Sequence, residues 1–373
     1  MIGRPRPSPG GGPNPDANAD ADGSALANLM LAVGARPAWL VVGALIVVAL
    51  ATRALDVSVP AWLTYLPFAV SLVAFGLPHG AVDHLAAPRA AGRPVTVRWL
   101  ALVGVVYLLL GGAYLAVWTV APVPAAAFFV ALTWFHWGQG DLYALDILAG
   151  GHLDRRGVRV GTLLVRGGLP MLVPLLSFPA DYRTVVDAWV ALFGRRLDVT
   201  WLFAVETRLA LGVAFAALTV GTLLVGRRDV RGDAGARRGW RLDAGETLLL
   251  WLLFLVVPPI LAVGVYFCVW HSLRHVVRLV GVDDRARRRL AADAGGPVAA
   301  LARTGREAVP LTALSLVFLV GFGVAVGVTA SVSTLAALYL VFISVLTLPH
   351  VAVVSWMDYA ESRYAPATTP VEE

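Results

Sequence analysis

The chain has 373 residues, 58% of them hydrophobic and only 14% charged, with a mean hydropathy of +0.74. Soluble domains carry about 25% charged residues, so this balance excludes an ordinary water-soluble enzyme and predicts an all-α, polytopic helical membrane protein in a cell membrane. The formal charge of +6 comes from arginine alone, with no lysine. These arginines concentrate between apolar runs, where the positive-inside rule accounts for them, so no nucleic-acid partner is expected.

Residues 1–25 are rich in Pro, Gly, Ala and Asp and lack the apolar core of a signal peptide. The expected organisation is a disordered polar tail over 1–36, a transmembrane domain over 37–358 and a short tail over 359–373. The first span, from about Trp39, then serves as its own insertion signal. Apolar segments follow at 38–52, 60–82, 99–120, 122–148, 158–178, 202–226, 247–280, 309–330 and 332–356. As a single helix the stretch 247–280 would be about 51 Å long, well beyond a hydrocarbon core of about 30 Å. Pro258-Pro259 breaks it, and the arginine-rich loops on both its sides require the chain to enter and return between them. The charged loops (Arg89 to Arg98, Arg155 to Arg159, Arg227 to Arg241, Arg285 to Arg306) and the uncharged links near 121 and 331 then give about ten passes with both termini cytoplasmic. The connection 179–201, with Arg183, Arg195 and Arg196, reads as amphipathic and interfacial. Hydropathy shows no internal repeat of the kind common in transporters.

Six of the seven histidines fall inside or at the end of apolar segments. An ionisable group at membrane depth is expensive, so each is a candidate functional residue. On the ten-pass topology His79, His136, His271/His275 and His350 lie on parallel spans and occupy one slab. His271 and His275 are four residues apart and share a helix face. Such a pair suits a metal, and taken alone it equally suits hydrogen bonds to neighbouring helices. Arg274 beside them is expected to point off that face toward the interface. Asp83 lies one turn after His79, where a carboxylate can accept an imidazole's second N–H and fix its tautomer. His84 points elsewhere, toward the headgroups. His136 sits among Trp134, Phe135 and Trp137, with Gln139 and Asp141 following. His350, after Pro349, reads either as a ligand or as a neighbour in the pocket. His152, near Asp154, Arg155 and Arg156, is expected to be solvated.

Several neutral imidazoles in a greasy protein suit a nitrogen-ligated metal. Fe(2+) in such a site keeps its charge and leaves positions for O2. A metal at this depth would act on a lipophilic substrate from the lipid bilayer. There is no P-loop, dinucleotide glycine pattern or CxxC. The lone Cys268 reads as a packing residue, and the glycine pairs 111–112 and 167–168 as helix-packing or flexing points.

Four segments, Gly76-Leu77-Pro78-His79-Gly80-Ala81-Val82-Asp83, Trp134-Phe135-His136-Trp137-Gly138 with Asp141, Trp270-His271-Ser272-Leu273-Arg274-His275 and Leu348-Pro349-His350, resemble the Brp/Blh family of membrane β-carotene 15,15′-dioxygenases. The match covers about residues 60–358. The resemblance implies a non-haem iron(II) enzyme that cleaves the central double bond of β-carotene with O2 into two retinal molecules for a rhodopsin. It maps the iron ligands to His79, His136, His271 and His275 and leaves His350 outside them. Trp134, Phe135, Trp137, Tyr266 and Trp270 are candidate walls of a polyene tunnel. The competing readings are a membrane di-iron lipid desaturase or hydroxylase, which needs about eight histidines in paired boxes, a b-type haem protein, and a transporter with a histidine relay.

Overall fold

The structure, a computed structural model, describes residues 23–291, 296–327 and 331–364, and among these there is no β-strand. The helices are α1 (Gly23–Ala54), α2 (Ala61–Val73), α3 (Gly76–Gly80), α4 (Asp83–Ala90), α5 (Val97–Val120), α6 (Pro122–Ala149), α7 (Arg156–Ser177), α8 (Pro179–Ala191), α9 (Val205–Asp229), α10 (Ala234–Val256), α11 (Pro259–Val282), α12 (Asp284–Ala291), α13 (Gly296–Val326) and α14 (Val332–Tyr364). Three of them contain a π-helical turn: Met30–Ala35 in α1, Tyr107–Gly111 in α5 and Tyr266–Ser272 in α11.

Among the described residues eight helical stretches are long and apolar enough to cross a membrane. The sequence expectation of ten included α6 and α10, which are not among the eight. Both bury polar groups, His136, Gln139 and Asp141 on α6 and Asp243 and Glu246 on α10. The 247–280 stretch does divide, because α10 ends at Val256 and Pro259 opens α11 at a position where its missing N–H costs nothing. Of the expected tail 1–36, residues 1–22 lie outside the described residues, and 23–35 are helical. Leu26, Leu29 and Met30 pack there against Val277, Val280 and Ala286, a tertiary surface that composition does not display. At the other end α14 continues through Tyr364, and 365–373 lie outside the described residues.

Burial ranks the helices. In its most apolar window α14 is 72% buried and α11 67%, whereas α13 is 6% buried. The central helices α11 and α14 carry three of the histidines, and α13 presents most of its surface outward. Segment 179–191, expected at the interface, is a helix that buries Trp189 and Val190 against α6, α7 and α14.

The closest helix contact is between α6 and α7. A Cβ on Gly167 would sit 1.8 Å from the Trp134 carbonyl oxygen, and one on Gly138 would sit 2.3 Å from that of Leu163. The 167–168 pair therefore serves packing, as its sequence suggests. Backbone cannot yield as a side chain can, so Gly167→Ala is expected to cost about 3 kcal/mol or more, the upper end of overpacking penalties. Thermal unfolding in detergent checks this against Gly221→Ala, where a Cβ meets nothing within 4 Å and helix propensity favours alanine by up to about 1 kcal/mol. Equal midpoints for the two variants would contradict the close packing.

Candidate metal centre

Five imidazoles converge inside the bundle. His79 comes from α3, His136 from α6, His271 and His275 from α11, and His350 from α14, each between 3% and 7% exposed. Ring centroids lie 4.7 Å apart for His136–His271, 4.8 Å for His136–His350, 5.0 Å for His79–His350, 5.1 Å for His275–His350, 5.4 Å for His79–His275 and 5.5 Å for His79–His271. One ligand atom each from His79, His136 and His271 lies within 4.8 Å of the others, and the same holds for Asp83, His275 and His350. The rings close in because the facing positions are small: a Cβ on Gly140 would meet His271 at 3.3 Å.

Two tautomers follow from the hydrogen bonds. Nδ1 of His79 donates to the Gly76 carbonyl, and Nδ1 of His350 donates to Asp83 Oδ2 at 2.8 Å. Both rings therefore keep the lone pair on Nε2. The same Asp83 oxygen accepts from the Tyr107 hydroxyl at 2.5 Å. The carboxylate one turn past His79 thus serves His350, 267 residues away. Nε2 of His271, His275 and His350 and both ring nitrogens of His136 are buried without a hydrogen-bond partner. Native interiors rarely leave such atoms unpaired, and here several face one another. Lone pairs on converging neutral imidazoles fit a divalent transition metal.

A second layer of charge locks the helices that carry the rings. Asp141 on α6 accepts from Trp270 Nε1 at 3.0 Å and Arg274 Nη1 at 3.2 Å, both on α11. Arg274 also donates to Glu246 at 2.5 Å, and its guanidinium stacks on Trp270 at 4.1 Å. Arg166 donates to Glu246 at 2.7 Å and to Asp243 at 3.0 Å, while Trp39 on α1 donates to Glu246 at 2.7 Å. On another side Gln139 and Arg278 both donate to Asp358 at 2.6 Å, joining α6 and α11 to α14.

Several sequence expectations change here. Arg274 does not reach for the interface: it is 2% exposed, because its carboxylate partners come from distant helices. His152 is not solvated. Its loop folds back onto α10, and its buried Nε2 lies 3.7 Å from Asp243. His350, set aside from the ligands, touches three of the other imidazole rings. Arg166, Asp243 and Glu246 escaped notice, although a charge amid apolar residues 158–178 was signal enough for Arg166.

An apolar cavity of about 780 Å³ opens onto the rings, lined by His79, His136, His271 and His350 together with Tyr107, Phe129, Phe267 and others. Of the five aromatic walls expected, only Trp137 lines it. Successive residues on a helix point about 100° apart, so Phe135 faces outward at 42% exposed, and Trp134 turns to α7, bonding the Leu164 carbonyl. Tyr266 and Trp270 are wholly buried in the core behind the cavity. His84 lines its α4 edge.

Buried imidazoles open to an apolar cavity define a histidine centre inside a polytopic helical bundle. The chain belongs to the beta-carotene 15,15′-dioxygenase family, whose model matches residues 70–358. It is 58% identical over 299 residues to the probable beta-carotene 15,15′-dioxygenase Blh of Halobacterium salinarum, covering 79% of this chain and 84% of the relative. It is 32% identical over 312 residues to the probable dioxygenase Brp of the same species, covering 78% and 82%. A beta-carotene 15,15′-dioxygenase of the uncultured marine bacterium 66A03 is 25% identical over 215 residues, covering 56% and 66%. No solved structure matches the chain.

Proposed function

We propose that this chain is an iron(II)-dependent β-carotene 15,15′-dioxygenase of the cell membrane, taking its substrate from the bilayer and supplying retinal to a rhodopsin. The observation that carries the reading is the set of unpartnered imidazole nitrogens facing one another beside an apolar cavity of about 780 Å³. His79, His136, His271 and His275 would hold the metal, and His350, whose ring lies beside those of His79, His136 and His275, would be a fifth donor. When bound, iron(II) supplies the capacity to bind and activate O2. The protein's own part is placement and exclusion. The Gly76 carbonyl and Asp83 fix which nitrogen of His79 and His350 faces inward. Asp141, Asp358 and their arginines hold the ring-bearing helices in register. The largely apolar wall disfavours water, and a hydrocarbon polyene has no polar group to bond, so selection rests on shape. In the reaction the C15–C15′ double bond breaks, and each of its two carbons takes one oxygen atom, giving two aldehydes.

Expression in a β-carotene-accumulating bacterium tests this. Loss of orange colour with retinal found by chromatography is the expected result. Colour retained by well-expressed, iron-loaded protein would overturn it. The purified protein is expected to lack an intense Soret band, which a bis-histidine haem carrier would show.

A further inference from the structure

Besides the histidines, two groups of helices contribute to the cavity lining. One set comes from α5 and α13, and the other from α7, α8 and the start of α11. Helix α8 packs on α6, α7 and α14, whereas α13 packs on α3, α11 and α14. Both sets rest on α14 and each has neighbours the other lacks, so they lie apart around one cavity whose wall also includes four of the histidines. They differ in one respect. On the α5/α13 side the wall includes side chains that are themselves on the outer surface: Leu108 is 73% exposed, Phe318 62% and Leu314 47%. On the α7/α8 side none of Met171, Tyr182, Val185, Val186, Trp189 or Ile260 is exposed, and Trp189 closes edge-on over Phe129 with centroids 5.5 Å apart. The α5/α13 arm thus has side chains of the outer surface in its wall, whereas the α7/α8 wall is half-buried and includes the buried Trp189.

We infer that the α7/α8 arm ends blind beneath Trp189 and is a ruler that selects the bond to be cut. Resting on the function proposed above, the inference is that a carotenoid enters through the α5/α13 opening and slides past the histidines. It stops when its leading end ring meets the Trp189 wall, and the double bond then beside the imidazoles is the one cleaved. A hydrocarbon carotenoid carries no polar group that Tyr182 or Trp189 in this arm could bond to fix its register, so steric arrest is the means available. Only the leading ring is measured. The trailing half lies in an arm open to the bilayer, and its length is unconstrained.

Two experiments test the ruler by chromatography and mass analysis of the aldehydes formed. The first uses the unaltered protein and a carotenoid with one intact ring and the other end truncated to an aldehyde. The expected products are retinal from the ringed half and a shorter dialdehyde, with the central bond broken and one oxygen atom gained by each carbon. Cleavage of β-carotene but no retinal from the one-ring compound would overturn the inference, because both ends would then be measured. The second changes the arm's depth and follows β-carotene. Trp189→Ala deepens it, so the bond cut should lie further from the leading ring, and one longer and one shorter aldehyde should replace part of the retinal. Val186→Phe shortens it and should displace the cut toward that ring. Retinal as the sole product of both variants would overturn the ruler. An unaltered protein that cleaves neither substrate would instead overturn the function on which the ruler rests, and the ruler with it.

Discussion

His136→Ala is expected to empty the metal centre and abolish turnover. His136 is the ring with both nitrogens buried and unpartnered, and it contacts His271 at 4.7 Å and His350 at 4.8 Å. Changing residues one layer behind a metal typically costs 10- to 100-fold in affinity, so removing a donor should cost more than about 100-fold. The fold should survive, since α6 remains tied to α11 through Asp141 and to α14 through Gln139. Iron content of the purified variant, read beside its unfolding midpoint, separates loss of the site from loss of the protein. Full iron loading with normal turnover would remove His136 from the centre.

The second large effect concerns stability. Glu246→Leu is expected to destabilise the protein by about 3–5 kcal/mol, the usual cost of removing one partner from a buried ion pair. Glu246 accepts from Arg166, Arg274 and Trp39, and all three are left facing an apolar side chain. Asp141 and Asp243 still touch the two guanidiniums, which keeps the loss below that of a wholly unpaired charge. Glu246→Gln retains an acceptor and should lose about 1–3 kcal/mol. Unfolding in detergent should rank parent above Gln above Leu. A Leu variant as stable as the parent would show that the network contributes nothing to folding.

What could be read in advance depended on the distance over which the deciding interaction acts. The helices were legible because apolar runs and Pro258-Pro259 act locally. The histidines were legible because an ionisable group in an apolar run is conspicuous by itself. Partnership was not legible. Asp83 looked like a companion for His79 from its spacing, yet it bonds His350, 267 residues away. Arg274 looked destined for the interface because its carboxylates lie on α6 and α10. His152 looked solvated because its sequence neighbours are polar, whereas the fold sets it against Asp243. The tunnel walls failed for a geometric reason: adjacent aromatics at 134, 135 and 137 cannot all face one cavity from one helix.

The three π turns bear on this in terms of helical phase. A π turn accommodates one residue more than an α turn, so all that follows is rotated by about 100° relative to an uninterrupted helix. In α1 the turn holds Gly34, whose carbonyl receives Arg274. In α5 it begins at Tyr107, which bonds Asp83, and in α11 it contains His271. Each helix shifts phase beside the centre and keeps regular winding elsewhere. Along α11 the residues before and after Tyr266–Ser272 therefore belong to two different faces of one rod. A single-residue gap there, in any alignment of relatives, would reassign the whole downstream half, His275 and Arg278 included, to another neighbour.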